Sequence, residues 1–81
     1  MFPNPAQPAK TPVRFDGLPA GSVVELYTLN GELVRKSPTG TGALWLWDGK
    51  NDNGTMVSAG IYLWIVRTEG KVTRGKLVVG Q

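Results

Sequence analysis

The chain has no cysteine and no histidine among its 81 residues. Without thiols it can hold neither disulfides nor thiolate-bound metal, and without imidazole it lacks the commonest general base and zinc ligand. Ser22, Ser37 and Ser58 therefore have no histidine to activate them as nucleophiles. Asp48 and Asp52 flank one loop, but a glycosidase carboxylate pair also needs a cleft that holds a sugar ring. A chain this short rarely supplies one. The inventory points to a non-enzymatic domain without a cofactor or metal.

Charge is scarce too. With 19% charged residues and a net charge of +3, the chain is mildly and diffusely basic, which does not single out nucleic acid as a partner. Its longest apolar run, residues 61–66, falls far short of the roughly 20 residues a membrane-spanning helix requires. Met1-Phe2-Pro3-Asn4-Pro5 has neither the basic start nor the apolar stretch of a signal peptide. If the protein is exported, its signal is expected upstream of this segment. Helical periodicity is also missing, since nowhere do apolar residues recur at i, i+3, i+4, i+7 behind a capping residue.

Tight-turn residues are abundant, with 11 glycines and 6 prolines, and 41% of the chain is apolar. That composition belongs to a folded domain of short strands joined by turns. A domain this small buries only about 60% of the surface its unfolded chain exposes, so its core must be compact. The first ten residues hold three of the prolines and read as a lead-in or an edge strand. Strands are predicted over residues 11–15, 22–29, 43–47, 60–68 and 71–79, with a further one beyond the Asn30-Gly31 turn. In 22–29, Val24 and Leu26 share one face and Val23, Glu25 and Tyr27 the other. Asn30-Gly31 fits a type I′ hairpin turn, because both residues tolerate positive φ. The 60–68 strand is apolar on both faces and reads as central. The whole suggests a single immunoglobulin-like antiparallel β-sandwich of about seven short strands, with a small barrel as the alternative.

Asp48-Gly49-Lys50-Asn51-Asp52-Asn53-Gly54 superficially resembles a calcium loop. Lys50 stands where the third ligand belongs, and no glutamate closes the site. The favoured reading is a turn whose Asp and Asn side chains bond their own backbone. Trp45 and Trp47 point the same way, and the three tryptophans either fill the core or offer a stacking surface. Leu44 and Leu46 compete for the interior face. A Trp45 and Trp64 platform would suit a carbohydrate. Lys71, Arg74 and Lys76 form a basic edge that deters pairing with other chains.

Three segments, taken in order, resemble one family. They are Phe2-Pro3-Asn4-Pro5, then Val24 through Asn30-Gly31 to Arg35, then Trp47-Asp48-Gly49 and Asn53-Gly54 with Gly60-Ile61-Tyr62 and Lys76-Leu77-Val78-Val79. This pattern resembles the C-terminal sorting domains of the type IX (Por) secretion system, and equally the immunoglobulin-like domain of the flagellar hook-capping protein. The resemblance covers nearly the whole chain. It implies a seven-stranded sandwich at the C-terminus of a larger secreted bacterial protein. It further implies recognition by outer-membrane machinery, attachment of an upstream cargo domain at the cell surface, and passage through periplasm and outer membrane. Gly60 and Tyr62 match the family's Gly-x-Tyr segment, and Lys76 to Val79 its last strand. Gly60, Ile61, Tyr62, Arg74, Lys76, Leu77, Val78 and Val79 are thus the candidate sorting residues. Asn30, Gly31, Trp47, Asp48, Gly49, Asn53 and Gly54 are expected to be structural. A structural immunoglobulin-like appendage, a hook-cap domain and a carbohydrate-binding module are the alternatives.

Overall fold

The computed structural model describes residues 6–8, 10–38 and 43–80. The Phe2-Pro3-Asn4-Pro5 segment, much of the loop at 37–42 and Gln81 lie outside them. The described residues form six strands and no helix: β1 (Val13–Asp16), β2 (Val23–Thr28), β3 (Leu33–Lys36), β4 (Leu44–Trp47), β5 (Gly60–Thr68) and β6 (Lys71–Val79). Every strand pairing is antiparallel, in two layers. One layer is β1-β4 and the other β3-β2-β5-β6. This is the predicted immunoglobulin-like sandwich, with six strands rather than about seven.

The lead-in accounts for part of the difference. Among its described residues it contributes one parallel bridge, Ala6 to Val79. The Ala6 N–H donates to the Val78 carbonyl and the Gly80 N–H to the Ala6 carbonyl, both at 2.7 Å. Pro8, with no N–H to offer, cannot extend that ladder. The last two strands are also not short, at nine residues each.

Period-two alternation builds the interior. Val13 and Phe15 of β1 and Trp45 and Trp47 of β4 face Val24, Leu26, Tyr62, Val66, Leu77 and Val79 of the larger sheet. In β4 the indoles win the inner face, leaving Leu44 and Leu46 38% and 52% exposed. Size decides this. Burying about 150–250 Å² of ring yields roughly 4–6 kcal/mol of transfer free energy, against about 1.5–3 for a leucine. Trp47 is fully buried, and its indole N–H donates to the Lys50 carbonyl at 2.9 Å, so no polar atom is stranded. Trp45 packs on Phe15 with ring centroids 5.5 Å apart.

The β2–β3 turn differs from expectation. Among the described residues, Asn30 included, no non-glycine has positive φ, so Asn30 cannot be part of a type I′ turn. Instead Gly31 N–H donates to the Thr28 carbonyl at 3.0 Å, Gly31 itself has φ 89°, and Thr28 N–H reaches the Glu32 carbonyl at 2.9 Å. This is a three-residue loop closed by a glycine bulge, a form in which only the last residue needs the left-handed region. The register of β2 against β3 also shifts between Leu26 and Tyr27.

At the other edge, Trp64 of β5 stands opposite Gly75 of β6. A Cβ at Gly75 would lie 2.7 Å from the indole Cε2. The missing side chain lets the ring lie flat across β6 and against the core.

Candidate functional site

The β5–β6 hairpin carries all the candidate sorting residues, and alternation divides them between two faces. Tyr62, Leu77 and Val79 point inward and are buried. The Tyr62 hydroxyl donates to the Ser58 carbonyl at 2.6 Å, fastening the start of β5 to the preceding loop. Ile61, Arg74, Lys76 and Val78 point outward and are exposed. Ile61 pairs with Val78, Leu63 with Lys76, and Ile65 with Arg74. Gly60 has φ 155° and open space around the position of a Cβ, so its backbone conformation, not close approach by a neighbour, calls for glycine. The segment therefore supplies four structural or backbone positions and four that a partner can touch.

The outward residues belong to a wider surface. On this face of the four-stranded sheet, Val23, Tyr27, Leu63 and Ile65 lie half-buried, while Leu33, Ile61, Val72 and Val78 are exposed. Among the described residues no other element covers it. Glu25 sits in the middle and is only 9% exposed. Its carboxylate accepts from Arg67 Nε at 2.7 Å and from the Tyr27 hydroxyl at 3.0 Å. Burial alone would push the Glu25 carboxyl up, but these two hydrogen bonds, together with the charges of Arg67 and Lys36, outweigh it and hold the group below the usual carboxylate range. Burial, and then the Glu25 carboxylate, push the Tyr27 hydroxyl up. The triad satisfies a charge beneath an apolar surface.

Residues 48–54 form the closed turn expected of them. The Asp48 carboxylate accepts from Lys50 N–H at 3.0 Å, and the Asn51 side-chain oxygen from the N–H groups of Asn53 and Thr55 at 2.9 and 3.0 Å. Gly49 and Gly54 take positive φ, and Gly49 packs against Pro8 and Met56. Arg35 of β3 clamps the turn. Its guanidinium donates to the Lys50 and Asn51 carbonyls at 3.3 Å and stands 3.7 and 3.6 Å from the Asp48 and Asp52 carboxylates. The oxygens a cation would need face a guanidinium and backbone N–H groups. Sequence reading missed Arg35, because nothing local marks a residue that will meet a loop across the fold.

The proposed Trp45 and Trp64 platform is not present. Trp45 is 8% exposed and buried against Phe15, while Trp64 lies over Gly75 and packs on the core from the opposite layer. Both rings face the interior, so no sugar can stack on the pair.

No family model matches the chain, and no curated protein does. Two solved structures do. One is PorZ, an essential bacterial surface component of the type IX secretion system of Porphyromonas gingivalis. It superposes on 99% of this chain with a TM-score of 0.80 and 24% identity, over 11% of its own length. The other is dimeric latent PorU from the same organism, with a TM-score of 0.68 and 27% identity over 96% of this chain and 9% of that one. The likeness to PorZ shows the fold. The chain spans about a tenth of either protein.

Proposed function

We propose that this domain is a type IX secretion module that acts by binding rather than catalysis, sorting a secreted cargo and holding it at the cell surface. The observation that supports the reading is the recurrence of nearly the whole sandwich within PorZ and PorU, which points to a module associated with that system. The partners are then outer-membrane machinery and an upstream cargo domain. The hairpin divides the labour: Tyr62, Leu77 and Val79 keep β5 and β6 on the core, while Ile61, Arg74, Lys76 and Val78 present a surface to be read. A periplasmic reporter fused ahead of residues 1–81, in a host with a working type IX system, is expected on the cell surface. Removal of residues 76–81 is expected to leave it inside.

A second reading is a fixed structural domain of a secretion component. It is favoured by the neighbours themselves, because PorZ is a surface component of the machinery in which such a sandwich is a small part of a long chain. A folded fusion that stays in the periplasm would support this second reading against the first.

A further inference from the structure

We infer that the outer face of the four-stranded sheet docks a protein partner that presents an apolar side chain among carboxylates. Three observations converge on that chemistry.

The first is an unusual division of charge. Lys36, Arg67, Arg74 and Lys76 project from this face, opposed only by Glu25, which gives the face a net charge of +3. The other five cations and five carboxylates of the chain cancel, so the whole net charge of the domain resides here. Glu25 is already committed to Arg67 at 2.7 Å. Arg74 and Lys76 have no ion-pair partner among the described residues, and their charge is open to a ligand, while Lys36 stands opposite Glu25 and shares its field.

The second is the apolar centre. Tyr27, Leu63 and Ile65 occupy the middle strands, and strand β5 has apolar side chains on both faces, the pattern of a strand covered on both sides. Here, among the described residues, only one side is covered. A sheet face of this kind marks an interaction site on a small domain.

The third is shape. Leu63 and Ile65 form the floor of a depression of about 250 Å³ walled by Arg74, Gly75 and Lys76. Gly75 offers only backbone between the two cations, because the position of its Cβ points to the other face, at Trp64. A concave site flanked by cations receives one projecting apolar side chain with acidic neighbours. A bilayer would instead require apolar side chains that project beyond the charges. The cations steer the encounter, and the depression fixes the register.

This goes beyond the sorting reading, because it concerns which surface is used and what chemistry it accepts. Failure of the reporter to reach the surface would leave it standing. The probe is a blocked peptide, Glu-Leu-Glu-Phe-Glu, titrated into isotopically labelled 81-residue protein, with Lys-Leu-Lys-Phe-Lys and phosphatidylglycerol vesicles alongside. The expected result is saturable binding of the acidic peptide alone, with shift changes centred on Leu63, Ile65, Arg74 and Lys76. Arg74→Glu/Lys76→Glu should weaken it by about tenfold or more, whereas Lys10→Glu/Lys71→Glu, an equal charge change off this face, should weaken it far less. Unchanged melting of both variants shows that the fold is kept. No binding, equal binding of the basic peptide, shift changes elsewhere, or binding of vesicles without the peptide would overturn the proposal.

Discussion

Gly75→Ala isolates the contact that seats Trp64. Gly75 lacks a left-handed φ, so alanine fits the backbone, and the only obstacle is the indole. The new Cβ would lie 2.7 Å from Cε2 and 3.0 Å from Nε1. Ordinary carbon contacts lie at about 3.5–4.0 Å, so the ring must retreat by roughly 1 Å. A rigid bicyclic ring cannot yield at its tip. It must leave its rotamer, at about 0.5–1.5 kcal/mol, and loosen its packing on the core, within the roughly 1–3 kcal/mol typical of overpacking. Restricting the unfolded chain returns about 0.4–1 kcal/mol. The net loss is about 1–2 kcal/mol, a fall in Tm of roughly 4–16 °C for a domain of this size. Urea and thermal unfolding followed by circular dichroism would measure it. In a Trp64→Leu background the clash is absent, and the same alanine should be neutral or stabilising. Equal loss in both backgrounds, or none in the wild type, would refute the seating of Trp64 on Gly75.

Arg35→Met should cost about 1–2 kcal/mol by removing the clamp on residues 48–54, and amide exchange should accelerate first at Asn51 and Gly54. Glu25→Gln tests the buried carboxylate. Its folded-state pKa is depressed, so its stabilising contribution is complete above the unfolded glutamate value and disappears as pH falls through the lower, folded one. The variant should therefore be less stable than wild type at pH 7, and the gap should close below about pH 4 in melts across pH, since an unfolded glutamate titrates near 4.3.

Much of the fold was legible because turn residues mark the strand ends so clearly. The strand predicted from Gly60 to about Thr68 is β5, and the one predicted over 71–79 is β6. Inside β4, the choice between Trp45/Trp47 and Leu44/Leu46 was not legible, since both faces are apolar and the outcome depends on Phe15 from another strand. Asn30-Gly31 marked a turn but not its length, because the dipeptide suits both two- and three-residue loops. The candidate hairpin was found by resemblance. Its division into inward and outward halves follows from alternation along β5 and β6. The open outer face was hidden for the same reason that β5 was read as central: an apolar pattern on both faces reports that a strand can be covered twice, and says nothing of what provides the second cover.

If the fold and its use are carried by opposite faces of one sheet, they should separate. Surface display of a reporter fused to Ile61→Asp/Arg74→Glu/Lys76→Glu, beside the wild-type domain, measures this most directly. The account predicts a triple variant that folds and melts like the wild type yet leaves the reporter inside the cell. Display at wild-type levels by that folded variant would contradict it.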